Sequence, residues 1–494
     1  MDSGAALSFS SARGRWVLLA TILGSGIAGL TATVVNVALP TIGRDLGATT
    51  AGLQWVLNGY LLPLAALILL GGSLGDRFGR RRIFLVGVVW FAGASLACAL
   101  APSIGVLVAA RCLQGLGAAL LTPGSLAIIQ SSFAPRDRAR AIGAWSGFGG
   151  VATAVGPFLG GYLVERGSWP WIFLLNIPLA VAVVVIARRH VPESVDPTAT
   201  GKLDLAGGVL GSLGLAGITY AVIEAPGRGA TSALVVAAAA VGLGALAGFL
   251  LVERRGRHPM LPLDIFASRQ FSGANVMTLA MYAALGGMLF LLATYLQTAL
   301  GYSPVESGLS LMPVTLLMLV LSAKAGDLAS RIGPRRPMTL GPLVVAAGLG
   351  LMARIQPGTS YAATVLPAVV VFGLGLALTV APLTATVLAA ADERHAGVAS
   401  GVNNAVARVA QLLAVAGLPV VAGITGDNYT DPAAFASGFG VAATVTAGLA
   451  AVAAAVSWTT ISDGVLAGEP APAPPPEEHY HCAAEAPPLR RSRH

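Results

Sequence analysis

Long apolar runs, broken at regular intervals by charged, proline or glycine positions, occupy the chain from residue 16 to residue 458. An α-helix needs about 20 apolar residues to cross a hydrocarbon core of ~30 Å, and the runs recur at that length. They predict helices near residues 16–40, 51–73, 83–101, 104–130, 140–164, 171–188, 205–223, 231–252, 271–295, 306–323, 338–353, 361–390, 398–423 and 434–458. The pattern therefore predicts an all-α membrane protein with 14 transmembrane helices.

Charge sets the direction of these spans. With residues 1–15 placed in the cytoplasm, Arg44, Arg166, Arg228 and Arg354 face outward and Arg111 and Arg408 lie within spans, while every other Lys and Arg falls on the cytoplasmic side. Such asymmetry predicts both termini inside and an even number of spans. Arg13 and Arg15 precede the first run as in a signal peptide, but Trp16 to Pro40 is too long for an h-region and has no small-residue cleavage site. It reads as an uncleaved first helix.

A repeat divides the chain. Gly72, Leu74, Arg77, Gly79, Arg81 and Arg82 recur 254 positions later as Gly326, Leu328, Arg331, Gly333, Arg335 and Arg336, each set between two spans on the cytoplasmic side. Two six-helix bundles, 16–190 and 270–460, are expected, with 203–253 as an inserted helix pair. Paired halves with a binding site between them are a common build for secondary transporters. Residues 464–494, rich in proline and then charged, predict a disordered cytoplasmic tail. His479, His481 and Cys482 within it read as a fortuitous cluster, so no metal is expected.

Composition narrows the classes. Apolar residues make up 55% and charged residues 11%, with a mean hydropathy of +0.77; soluble domains carry roughly 25% charge. The net charge of +8 sits in short loops, which fits topology rather than nucleic-acid binding. Only Lys202 and Lys324 are lysines, and Leu203 and Ala325 follow them, so the chain has no Gly-Lys-Ser/Thr phosphate loop for an ATP-driven pump. No His-Glu-x-x-His spacing occurs and no loop is long enough for a catalytic domain, so neither an enzyme nor a cofactor is expected. Cys98, Cys112 and Cys482 imply no disulfide framework. Arginine in place of lysine, with abundant Ala and Gly, points to a high-GC bacterium and hence to its plasma membrane.

The local motifs carry the transporter reading. Gly72-Ser-Leu-Gly-Asp76-Arg77-Phe-Gly79-Arg80-Arg81-Arg82 joins the second and third helices. Its glycines permit a tight turn, and Asp76 can pair with an arginine or with helix N-terminal donors in contacts that change between two states. Arg111 carries a charge at membrane depth, where it costs about 2.5–3.5 kcal/mol on insertion scales and so must face a cavity or a polar partner. Arg408 is a second such charge, placed nearer the end of its span. Ala152, Gly156 and Gly160 lie at i, i+4 spacing and give helix 5 a smooth face, which Pro157 can bend.

These stretches resemble the major facilitator superfamily. The 72–82 loop is similar to its signature, Arg111-Cys-Leu-Gln114-Gly115-Leu-Gly117 to its intramembrane arginine motif, and Gly156-Pro157-Phe-Leu-Gly160-Gly161 to its antiporter motif. Thr33-Val-Val-Asn36-Val-Ala-Leu-Pro40 and Trp169-Pro-Trp171-Ile-Phe-Leu-Leu-Asn176-Ile-Pro178 resemble the fourteen-helix drug:proton antiporters in particular. The resemblance implies a monomeric major facilitator fold and export of drugs, antibiotics or secondary metabolites across the plasma membrane by proton antiport, with alternating access. It gives Gly72, Asp76, Arg77, Gly79, Arg80 and Arg81 a switching role and makes Arg111, Gln114, Thr31 and Asn36 coupling candidates. Solute uptake or exchange, or sensing without flux, stand as alternatives.

One position departs from the family. Where those relatives carry an aspartate two residues before Thr33, this chain has Thr31, and no helix centre carries a carboxylate. Asp76 and Glu224 are the remaining candidates for proton work. The lack of fixed negative charge also turns the expectation from cationic toward neutral or anionic substrates. Polar residues expected at the cavity are Gln54, Asn58, Tyr60, Asn275, Tyr282, Tyr295 and Gln297, for each of which interhelical hydrogen bonding is the plainer role.

Overall fold

A computed structural model describes residues 7–197, 203–256, 259–390, 396–429 and 431–466. Most of the expected tail lies outside these residues. Helices occupy each segment that the apolar pattern marks: α1 Ala12–Leu46, α2 Thr50–Phe78, α3 Arg80–Ala99, α4 Ile104–Ser132, α5 Pro135–Arg166, α6 Trp171–His190, α7 Leu205–Arg228 and α8 Ala233–Arg255. They continue with α9 Arg269–Thr298, α10 Pro304–Ile332, α11 Arg335–Met352, α12 Tyr361–Ala389, α13 Ala396–Val421 and α14 Pro432–Thr460. Among the described residues, 12 of them are long and apolar enough to cross a membrane. The two outside that number are α5, which is diluted by Gly, Ser and Thr and charged at both ends, and α11, which is short and opens on Arg335 and Arg336.

The helix starts follow local chemistry. Ser11, Thr49, Ser103, Asp204, Ser232, Ser268 and Asp431 each accept a hydrogen bond from a backbone N–H in the first turn of the helix that follows. Ser303 and Glu306 close a capping box on α10.

Packing repeats along the chain. In the first six helices α2 pairs with α4, α3 with α4, α1 with α5 and α6, and α3 with α6. The last six repeat this as α10 with α12, α11 with α12, α9 with α13 and α14, and α11 with α14. The two sets meet through α2 against α13 and α5 against α10. Between them in sequence, α7 and α8 pack on each other, and α7 lies against both α2 and α13.

Both copies of the repeated loop have the same construction. Gly79 (φ 107°) and Gly333 (φ 83°) take backbone angles closed to other residues, immediately before α3 and near the start of α11. A carboxylate three residues past the end of a distant helix then meets each turn. Glu193, after α6, accepts the Arg81 N–H at 3.0 Å, and Asp463, after α14, accepts the Arg335 N–H at 3.2 Å. The arginines return the contact: Arg81 Nη1 donates to the Val191 carbonyl at 3.1 Å and Arg335 Nε to the Trp458 carbonyl at 2.9 Å. Each loop is therefore tied to the last helix of its own set. Asp76 accepts from Arg80 one turn on, at 2.8 Å.

Candidate functional site

A cavity of about 330 Å³ lies where the two sets face each other, between α1, α2, α4 and α5 on one side and α9, α10, α12 and α13 on the other. Its size falls at the lower end of the roughly 300–1,000 Å³ found for small-molecule sites. Apolar residues, leucine foremost, form most of the wall. The polar groups on it include Asn36, Tyr60, Arg111, Tyr282, Arg408 and Gln411.

Arg111 reaches the cavity from behind Tyr60. It is fully buried, and its charge is spread over three kinds of partner. Nε donates to the Val56 carbonyl of α2 at 2.9 Å, Nη1 donates to Gln114 Oε1 at 2.5 Å, and the guanidinium carbon sits 4.4 Å from the Tyr60 ring centre. The Tyr60 hydroxyl in turn donates to the Ala28 carbonyl of α1 at 3.1 Å.

From Gln114 a buried polar chain runs through the first set. Gln114 Nε2 donates to Ser95 Oγ at 2.7 Å, Asn176 Nδ2 donates to the same oxygen at 3.3 Å, and Thr31 Oγ1 donates to Asn176 Oδ1 at 3.1 Å. Helices 4, 3, 6 and 1 are thus joined in that order. Thr31 is a neutral end to this chain, so the position that lacks the family's aspartate helps hold α1 against α6. Replacing Thr31 with valine keeps the shape and leaves Asn176 without its donor. We expect a loss of about 1 kcal/mol, read as a lower unfolding temperature of the purified protein, because a buried hydrogen bond in a membrane bundle is worth about 0.6–1.7 kcal/mol.

Close backbone approach explains the helix 5 motif. A Cβ on Gly156 would strike Thr33 Oγ1, and one on Gly160 would lie 2.9 Å from the Val34 carbonyl oxygen, so α5 rests directly on α1. The next residue, Gly161, faces the carbonyl of Pro304, while Gly308 on α10 faces the carbonyl of Pro157, with no room for a Cβ at either. Glu165 Oε2 accepts the Val305 N–H at 3.1 Å beside them. At the opposite end of α5, a Cβ on Gly143 or Gly147 would meet nothing within 4 Å.

Two glutamines finish the seal. Gln54 Nε2 on α2 donates to the Val415 and Ala416 carbonyls of α13 at 2.8 and 2.9 Å, and Gln297 Nε2 on α9 donates to the Val37 carbonyl of α1 at 2.9 Å. Both were expected on the cavity, and both instead bolt the two sets together at one end. Gln54→Met removes both α2–α13 bonds without shortening the side chain. The expected result is a severalfold faster reaction of a cavity-facing cysteine with an impermeant thiol reagent from that end.

The other cavity candidates divide. Tyr60 and Tyr282 line it. Asn275 instead accepts from Asn403 at 3.2 Å, linking α9 to α13, and Tyr295 donates to the Ile355 carbonyl at 2.9 Å while stacking 4.1 Å from Phe439. Both lie off the cavity because their rings or amides have stronger partners inside the second set. Asn58 is fully buried on α2, off the cavity, with neither amide atom hydrogen-bonded. Of the carboxylates, Glu224 accepts from Trp55 Nε1 at 3.1 Å and pairs with Arg228 at 2.9 Å, on the α7–α2 seam away from the cavity. Arg408, expected near a helix end, stands at the middle of α13 and lines the cavity together with Gln411. Gln411 was missed because nothing in its neighbourhood distinguishes it from a bonded helical glutamine.

The description of the Major Facilitator Superfamily matches residues 21–415. The chain belongs to this superfamily. A major facilitator protein is a membrane transporter. Among relatives, the tetracenomycin C resistance and export protein of Streptomyces glaucescens is 37% identical over 85% of this chain and 79% of its own length. The puromycin resistance protein pur8 of Streptomyces alboniger is 36% identical over 92% of each chain. In fold the transporter is similar to the peptide transporter POT crystallised with sulfate, with a TM-score of 0.66 at 15% identity over 93% of this chain and 98% of that one.

Proposed function

We propose that this transporter exports amphipathic antibiotics or related secondary metabolites across a bacterial plasma membrane, by proton antiport and alternating access. The observation that carries the reading is the cavity between two like-built sets of helices, sealed at one end by Gln54, Gln297 and the α5–α10 contact. Relatives named for resistance and export agree with it.

The account needs α5 and α11 to cross the membrane with the other helices, giving 14 spans in two six-helix bundles, 16–190 and 270–460, plus the inserted α7 and α8. Their packing supports this: α5 lies along α1, and α11 lies between α12 and α14. The arginine-rich segments at 77–82, 188–189 and 331–336 all sit at the end of the helices opposite Gln54 and Gln297, and charge asymmetry supports placing that end in the cytoplasm. The sealed end then faces outward and both termini lie inside, so substrate enters from the cytoplasm.

Proton coupling has no carboxylate in the cavity to work through. Among the described residues, Glu165 joins the two sets by accepting the Val305 N–H. Cells expressing the chain should keep an aromatic polyketide such as tetracenomycin C at low internal levels, and an uncoupler should abolish the difference. If the panel accumulates equally in expressing and control cells, the export reading fails.

A further inference from the structure

We infer that the cavity selects aromatic amphiphiles that carry a negative charge, with Arg408 as the fixed counter-charge; this deepens the export reading and rests on it. Two guanidinium groups line the space, and among the described residues no Asp or Glu does. Arg111 has its charge dispersed over a carbonyl, an amide and a ring. Arg408 does not. Its Nη1 donates to Gln411 Oε1 at 3.0 Å, its Nε is buried without a hydrogen-bond partner, and no carboxylate of the described residues pairs with it.

A half-satisfied guanidinium in a low-dielectric space attracts an anion strongly and repels a cation, and its planar fork matches a carboxylate in shape. The surroundings specify the rest of the ligand. Tyr60 and Tyr282, on α2 and α9, line the same space as Arg408. Leu285, Met318 and Phe372 line it too and supply apolar surface suited to a flat ring system. A carboxylated or acidic phenolic polycycle places its anion at Arg408 and its rings along that wall. The same molecule would supply the missing partner of a charge that costs free energy to hold in the membrane empty.

The test uses three probes of one shape on the purified full chain: anthraquinone-2-carboxylate, its neutral methyl ester and a trimethylammoniomethyl analogue. Affinity is read from ligand-dependent thermal stabilisation in detergent and from flux in proteoliposomes. We expect the wild type to bind the carboxylate at least about tenfold more tightly than the ester, and the cation least. Arg408→Gln should lower the carboxylate-to-ester affinity ratio by about tenfold or more, while Arg408→Lys, which keeps the charge, retains most of it. Equal binding of cation and anion by the wild type, no binding of the carboxylate, or an unchanged ratio in Arg408→Gln overturns the inference. Arg408-dependent selectivity in detergent without flux in proteoliposomes would uphold it and overturn the export reading instead.

Discussion

Arg111→Ala should lower transport by on the order of a hundredfold, a barrier increase of about 2.7 kcal/mol, while the protein still inserts in the membrane. Arg111 is the junction of α4, α2 and the Gln114–Ser95–Asn176–Thr31 chain. Alanine leaves Gln114 Oε1 without its donor and opens a void beneath Tyr60, so the first set loses the part that keeps α1, α2 and α4 in one arrangement. Lysine does not repair this, because a single ammonium cannot serve the Val56 carbonyl and Gln114 in the same planar fork and stack on Tyr60. Arg111→Lys should therefore resemble Arg111→Ala. Flux and surface expression measured on the same cells check it, and near-normal transport by either variant would remove Arg111 from the mechanism.

Gly161→Leu should have the second largest effect. The new side chain has to pass through the Pro304 carbonyl, and the backbone cannot retreat, since Gly308 lies equally close on the Pro157 carbonyl from the other side. The two helices must part at the sealed end. Transport should fall roughly tenfold or more. In a background without native cysteines, Asn36→Cys should then react with an impermeant reagent from outside, which it should not do with Gly161 in place. Gly143→Ala is the control, because its Cβ meets nothing within 4 Å. If Gly161→Leu transports normally, tight α5–α10 contact is not needed for the cycle.

How far these features can be read in advance depends on what encodes them. Helix positions are legible because the bilayer demands about 20 apolar residues per span, and charged or proline positions punctuate the runs. The repeated loop is legible because Gly79 and Gly333 must supply positive φ. The Glu193 and Asp463 ties left a readable trace as well, an acid three residues past the sixth and last helices, but the differing lengths of the two sets hide it from a fixed offset. Side-chain direction is another matter. On helices that are apolar all round, no amphipathic stripe tells whether Gln54 or Gln297 faces the cavity, a neighbour or the opposite set. Tyr295 and Asn275 sit off the cavity for the same reason. Arg111 was legible as a residue in need of partners, since its charge alone requires them. Which partners it found depends on close approach of α2, set by Gly115 against the Tyr60 backbone. Arg408 lies about ten residues inside the 398–423 run and twelve inside α13, so the apolar pattern itself already put it near mid-span.

The central claim is that the chain moves an amphipathic substrate through the cavity between its two helix sets at the expense of a proton gradient. The direct measurement is accumulation of labelled tetracenomycin C or anthraquinone-2-carboxylate in proteoliposomes holding the purified full chain, after an acid-inside pH gradient is imposed. Accumulation above the equilibrium level that collapses on addition of a protonophore, and that is lost in Arg111→Ala, is the predicted result. Equal labelled compound in protein-containing and empty liposomes, with or without the gradient, would contradict it.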